Sequence, residues 1–149
     1  MKIILIAAIS LDGFIAANKD DRLTWTKDKH LFQKQTLDHH VAIGKRTLSL
    51  INSVLPNRII VPIDRETNIQ DLLKTLCAKT IFVAGGAETN KAFIENITHL
   101  YLTPHPLIFG TGIKLFGDKN FTQKTRLEKI VSIEGKENLK QYQFKVINH

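Results

Sequence analysis

Between residues 80 and 94 the sequence reads TIFVAGGAETNKAFI. A short apolar run, Ile81-Phe82-Val83-Ala84, meets Gly85 and Gly86, and helix formers then resume through Ala92, Phe93 and Ile94. The pattern predicts a buried strand, a tight turn and a helix. Glycine has no Cβ, so the backbone at this turn can approach something bulky. The first turn of a helix presents unpaired N–H groups at the positive end of its dipole, which suits a phosphate. A purely structural strand-to-helix turn reads the same way, because the glycine pair lacks the G-x-G-x-x-G spacing of a dinucleotide fingerprint.

A second junction of this kind lies upstream. His40-Val41-Ala42-Ile43 is a short strand ended by Gly44, then Lys45-Arg46-Thr47 leads into Leu48, Leu50 and Ile51. Two cations and a hydroxyl at a helix start would hold phosphate by N–H groups and point charges together, and a solvated basic pair is the plainer alternative. Ile3 to Ile9 is a continuous apolar run, the signature of a strand covered on both faces of a parallel sheet, and Ser10-Leu11-Asp12-Gly13 turns it. Further strands are expected at Ile59-Ile60-Val61, after the Leu55-Pro56-Asn57-Arg58 turn, and at His99 to Thr103, closed by Pro104 and Pro106. Thr67-Asn68-Ile69-Gln70 has capping-box character ahead of a helix from Ile69 to Cys77. Arg126–Glu134 and Leu139–Ile147 flank Gly135-Lys136-Glu137-Asn138 as a β-hairpin. The expected architecture is α/β: one domain over residues 1–149, its mostly parallel central sheet flanked by helices and finished by an antiparallel hairpin.

Asp28, Leu31, Phe32 and Gln35 recur at helical spacing, which puts an acid on an apolar helix face. An aspartate at a helix start is ordinarily a cap or a dipole partner. Against apolar walls it has a second use, since such surroundings raise a carboxylate's proton affinity. Trp25 stands in a polar loop running from Asn18 to Thr26, either as a cover over a ligand cleft or as a plug at the core edge. His39 and His40 have no partners at metal-ligand spacing, so no metal is expected.

Composition narrows the function classes. With 43% hydrophobic and 23% charged residues the chain is of ordinary globular make-up. No run approaches the roughly 20 apolar residues that span a bilayer, and Ile3 to Ile9 is too short for a signal peptide, so no membrane partner is expected. One cysteine, Cys77, excludes an internal disulfide and fits a reducing, cytoplasmic setting. It falls in the pattern Leu72-Leu73-Leu76-Cys77 and reads as a helix-face hydrophobe. The net charge of +7 favours an anionic partner. A phosphorylated small molecule is preferred to nucleic acid, because no Arg-rich or aromatic-interleaved basic run is present.

The order of these motifs resembles the dihydrofolate reductase superfamily, including the reductase of bacterial riboflavin biosynthesis. Ile4 to Gly13 is similar to the first strand and its loop, with Ser10-Leu11-Asp12-Gly13 in the form of the riboflavin-type branch. Ile43-Gly44-Lys45-Arg46-Thr47 resembles the turn at the cofactor phosphates, and Val83-Ala84-Gly85-Gly86-Ala87 the second cofactor turn. Leu107-Ile108-Phe109-Gly110-Thr111-Gly112 with Phe116 is similar to the riboflavin-type closing motif.

The resemblance implies a nicotinamide cofactor, NADPH, in a groove across the strand ends. Ala8 and Ile15 would border the nicotinamide, Gly44, Lys45, Arg46 and Thr47 would hold phosphate, and Gly85, Gly86, Ala87, Glu88 and Thr89 would wrap the pyrophosphate. Asp28 stands where the folate enzymes place their carboxylate and Thr103 matches the threonine that supports it, which makes these two the implied catalytic residues. Leu31, Phe32 and Ile51 would form an apolar substrate wall beside Trp25, and Arg58 resembles the arginine that takes the substrate carboxylate. The riboflavin-type motifs, the longer matches, imply first an NADPH-dependent reduction of a ribosylaminopyrimidine phosphate or a related pteridine, with dihydrofolate, to which Asp28 and Arg58 point, as the alternative. The insertion that the riboflavin branch carries after the Gly-Lys-Arg-Thr turn has no counterpart between Thr47 and Leu55. The segment from Ile63 to Lys79 is shorter than in folate enzymes, which leaves the choice between NADPH and NADH open. Riboflavin-type relatives often form homodimers. A chain that kept the fold for non-catalytic binding of a nucleotide or nucleic acid is the reading from another class.

Overall fold

The computed structural model describes residues 1–51 and 56–147. The expected turn residue Leu55 lies outside them, as does the side chain of Ile51. The elements in chain order are β1 (Lys2–Ser10), β2 (Phe14–Ala16), α1 (Lys29–Thr36), β3 (His40–Gly44), α2 (Lys45–Ile51), β4 (Ile59–Ile63) and α3 (Ile69–Thr75). Then come β5 (Thr80–Val83), α4 (Ala87–Ala92), β6 (His99–His105), β7 (Ile113–Lys114), β8 (Thr125–Ile133) and β9 (Lys136–Val146). Seven strands form one sheet in the order β4-β3-β5-β1-β6-β9-β8, and β2 and β7 form a separate two-stranded ribbon. From β4 to β6 the sheet is parallel, and β9 and β8 join antiparallel. The mostly parallel sheet with its antiparallel C-terminal hairpin is the architecture read from the sequence.

β1 lies inside the sheet with β5 on one side and β6 on the other, which is why its sequence is apolar without alternation. Successive strand residues face opposite ways, so the run divides between two cores. Ile3 and Leu5 pack with Ala42, Ile81, Val83, Phe93 and Ile97, with Leu72 and Leu73 of α3 against that cluster. Ile4 and Ile6 pack with Val41 and Phe82 beneath Phe32 of α1. The sheet therefore carries α1 on one face and α3 and α4 on the other, leaving its strand ends open as a ledge.

Three boundaries differ from the sequence reading. α3 ends at Thr75, because Leu76 turns to extended backbone while its N–H closes the last turn on Leu72 O. Cys77 therefore lies past the helix and is exposed, not packed on a helix face. At the helix start, Asn68 does cap α3, accepting a hydrogen bond from the Asp71 N–H. β6 continues through Pro104 to His105, because β9 pairs with it only as far as Leu102 and Pro104 then has a strand neighbour, β1, on one side alone. Finally, β2 and β7 are three and two residues long, too short to leave a periodic signal.

Candidate active site

The two glycine turns read separately from the sequence form one structure. β3 and β5 are neighbours, so their ends emerge side by side, with Gly44 N donating to Gly85 O at 2.8 Å and Ala84 N to Ala42 O at 2.9 Å. A Cβ on Gly44 would lie 2.9 Å from Thr89 Oγ1, and one on Gly86 would lie 3.0 Å from Thr47 Oγ1. A side chain at either position would have to push a threonine hydroxyl of the other turn aside. Gly85 has φ of +89°, which side chains rarely adopt, and a cis peptide bond joins it to Gly86. Gly86 is the N-cap of α4 and supplies no side-chain bond, so the first N–H groups of that short helix face the groove.

The cations beside these turns are tethered to acids. Lys45 Nζ lies 2.7 Å from Asp64 Oδ2, and Arg46 Nη2 lies 3.2 Å from Asp20 Oδ1. The bond from Lys45, with further ones from Glu66 N–H and the Thr67 hydroxyl, holds the Asp64 carboxyl below the usual carboxylate range. Lys91 pairs with Glu88 at 3.3 Å, which raises the pKa of the lysine.

A groove of about 1270 Å³ runs over the strand ends from Asp28 to Asp64. That exceeds the ~300–1,000 Å³ of a site for one small ligand. Ala8, Ile15, Gly44, Lys45, Arg46, Thr47, Gly85, Gly86, Ala87, Glu88 and Thr89 all line it, as do Asp28 and Phe32. Its walls fit the implied cofactor: two turns with no Cβ at their contact, free helix N–H groups, and cations within the lining.

Asp28 sits at the N-cap of α1, yet its carboxylate makes no capping bond and is 13% exposed. Its oxygens are left for the groove. Thr103 pairs in register with Ala8, which places it on the same sheet face, and its buried Oγ1 has no hydrogen-bond partner among the described residues. It lies beneath the groove and does not line it. Trp25 is packed edge-on between His105 and Phe109, each ring centroid 5.2 Å away, with Nε1 donating to Asp21 at 3.0 Å. Of the two uses the sequence allowed, this is the plug. Leu31 is half-buried and outside the lining. Arg58 is fastened to the far end of α1, donating from Nε to Thr36 Oγ1 at 3.1 Å and from Nη1 and Nη2 to Pro56 O and Gln33 O.

The residue that sequence reasoning missed is His105. It is 1% exposed, its Nδ1 lies 2.9 Å from Thr103 O, and its Nε2 lies 2.9 Å from Lys27 N. A carbonyl only accepts and a backbone N–H only donates, so the ring is neutral with its proton on Nδ1. The same Nε2 stands 3.9 Å from Asp28 Oδ1. His105 thus fixes the backbone that presents Asp28. The available signal was a histidine two residues beyond Thr103, hence on the same strand face.

Asp12 ties the Ser-Leu-Asp-Gly turn to the Phe-Gly-Thr-Gly loop. Its carboxylate accepts from Gly110 N at 2.8 Å, Phe109 N at 3.2 Å and Ser10 Oγ at 2.6 Å, and Leu11 N donates to Leu107 O at 2.8 Å. The Ser10 hydroxyl and these N–H groups lower the Asp12 pKa. Among the described residues no cluster of His, Cys, Asp and Glu could hold a metal ion, and no helix is long and apolar enough to cross a membrane.

Fold and groove together define an α/β protein with an extended groove across its parallel strand ends, lined by Asp28 towards one end and Asp64 towards the other. The family model for dihydrofolate reductase matches residues 2–148, and the chain belongs to the dihydrofolate reductase family. The dihydrofolate reductase of Buchnera aphidicola subsp. Schizaphis graminum (strain Sg) is 32% identical over 117 residues, spanning 69% of this chain and 71% of that one. Among solved structures, the dihydrofolate reductase of Enterococcus faecalis, complexed with NADP(H) and RAB-propyl, superposes with a TM-score of 0.76 at 17% identity, covering 99% of this chain and 97% of that one. A putative riboflavin biosynthesis protein from Shewanella sp. PV-4 gives 0.70 at 20% identity, covering 99% and 100%. A pyrimidine reductase-like protein from Corynebacterium diphtheriae gives 0.72 at 17%, covering 99% and 92%. At these identities the structural likenesses are of fold.

Proposed function

We propose that the protein is a cytoplasmic reductase that uses NADPH to reduce a dihydropterin, dihydrofolate in the first instance. The observation that carries this reading is the Asp28 carboxylate, nearly buried, free of any capping bond and facing the groove beside Phe32. A 2-amino-4-oxopteridine offers a ring N–H and an adjacent amino group, two parallel donors that match the two oxygens of a carboxylate. A ribosylaminouracil places its N3–H between two carbonyls but also has an N1–H beside its exocyclic 6-N–H, so the carboxylate accepts from either ring, and the dihydrofolate reductase family match and relative support putting the pterin first.

Bound in the groove, NADPH would supply a hydride. Lys45, Arg46, Thr47 and the N–H groups after Gly86 would hold its phosphates, and Ala8 and Ile15 would border its nicotinamide. Asp28 would orient the pterin and stabilise the positive charge that develops when a ring nitrogen takes up a proton. The buried Thr103 hydroxyl, with no other partner among the described residues, would support that carboxylate, and Phe32 would keep water from the ring. Arg58 would meet a carboxylate at the outer end of the substrate.

A second reading, reduction of a ribosylaminopyrimidine phosphate, is favoured by the Asp12 clamp, which joins the two motifs of riboflavin type into one unit. Steady-state assays with NADPH and each substrate separate the two. Turnover of dihydrofolate alone supports the first, turnover of the ribosylaminopyrimidine phosphate alone replaces it, and cofactor binding without either turnover points to a binding protein.

A further inference from the structure

We propose that Asp64 sets the cofactor preference at the outer end of the groove: its carboxylate holds the Lys45 ammonium and stands where a 2′-phosphate would settle, so that NADPH gains little over NADH. The proposal rests on the reading of the groove as a nicotinamide dinucleotide site. Strand order fixes the sequence of parts along it. Ala8 of β1 and Asp28 line the groove where the reacting ring would sit; Gly85 and Gly44, after β5 and at the end of β3, lie in the middle; Asp64 follows β4 at the edge. A dinucleotide with its nicotinamide at β1 and its pyrophosphate on the glycine turns brings its second ribose to β3 and β4.

Two of the three cations at this end are already matched by acids. Lys45 is bonded to Asp64 at 2.7 Å and Arg46 to Asp20 at 3.2 Å, and Arg65 lines the same end with no ion pair among the described residues. The Asp64 carboxylate cannot swing aside freely, since its Oδ1 accepts from Glu66 N at 2.9 Å and from Thr67 Oγ1 at 3.1 Å. A 2′-phosphate seated on Lys45 meets this fixed negative charge, and like charges across an interface are penalised. A ribose 2′-hydroxyl meets an acceptor to which it can donate, the role an acidic residue plays at the ribose of NAD sites elsewhere. Lys45 and Asp64 are 63% and 37% exposed in their side chains, so the pair adds little to folding stability and can be altered without unfolding the chain.

The test is a titration of native protein and Asp64→Asn with NADPH and with NADH, followed by nicotinamide fluorescence at fixed low ionic strength. Asparagine keeps the Oδ1 acceptor for Glu66 and Thr67 and removes the charge. Native dissociation constants for the two cofactors should differ by less than about fivefold, and Asp64→Asn should tighten NADPH about tenfold while leaving NADH within about twofold. Adding Lys45→Ala to Asp64→Asn should return the ratio towards its native value. A native preference for NADPH far beyond fivefold, or an Asp64→Asn variant that shifts both cofactors alike or neither, overturns the assignment to Asp64 and leaves the dinucleotide site standing. Native protein that binds neither cofactor overturns the site itself and this proposal with it.

Discussion

At the β3–β5 end of the groove the walls are backbone: Gly44 bonded to Gly85, the first N–H groups of α4, and a contact between turns that a single Cβ would fill. At the β1–β6 end the walls are side chains brought from far apart in the chain. His105 takes the Lys27 N–H across 78 residues and stands 3.9 Å from Asp28, two residues along β6 from Thr103, whose hydroxyl has no partner among the described residues. The first end offers what the pyrophosphate of any dinucleotide would meet, glycine turns and helix N–H groups, with the Lys45 and Arg46 cations beside them. The second has to discriminate one ring from another, and its carboxylate depends on packing contributed by a different strand. The two ends should therefore fail separately when substituted.

Asp28→Asn is the sharpest division between them. Turnover should fall roughly 10²-fold or more while NADPH affinity stays within about twofold, read by steady-state kinetics and cofactor titration. Next is His105→Leu, which removes the buried ring that accepts from the Lys27 N–H. It should lower stability by about 1–3 kcal/mol and slow turnover, again with cofactor affinity preserved. His105→Gln offers an acceptor in place of Nε2 and should recover most of both losses; a glutamine variant as poor as the leucine one would mean that the ring itself is required. Gly44→Ala tests the opposite end. The added methyl must displace the Thr89 hydroxyl, so NADPH should weaken about tenfold while the pterin affinity measured without cofactor is unchanged. Equal losses in both affinities would show that the two ends are not independent.

The smallest effect concerns the loop clamp behind the substrate end. The folded-state pKa of Asp12 is depressed, so its bonds to Ser10, Phe109 and Gly110 contribute stability above the unfolded carboxyl pKa and lose it as pH falls through the folded value. Native protein should melt above Asp12→Ala at neutral pH, and the gap should close below about pH 4. A gap that persists in acid would mean that the clamp does not depend on the ionised carboxylate.

The difference between the ends also explains what the sequence made legible. A strand, a glycine and a helix in succession are local, and both cofactor turns were readable from a few adjacent residues because backbone geometry leaves its mark in glycine. The sheet was readable for the same reason: Ile3 to Ile9 is apolar without a break because β1 is covered on both faces. That the two turns would meet, with Thr89 against Gly44 and Thr47 against Gly86, was not visible, since it follows from β3 and β5 being neighbours 41 residues apart in register. His105 was hidden by its prolines, which suggested that the strand had already ended. Trp25 could be a cover or a plug until Phe109 and His105 were placed on either side of it. Asp64 and Arg65 carried no motif, and their relevance appears only when the end of β4 is set beside Lys45.

The most direct test of the pterin-reductase reading is a single-turnover measurement with the NADPH complex mixed with dihydrofolate, in native protein and in Asp28→Asn. The account predicts dihydrofolate-dependent oxidation of the bound cofactor in the native protein and its loss in the variant, with the NADPH complex formed equally well by both. A native NADPH complex that dihydrofolate leaves unoxidised, or oxidation that proceeds equally in Asp28→Asn, would contradict it.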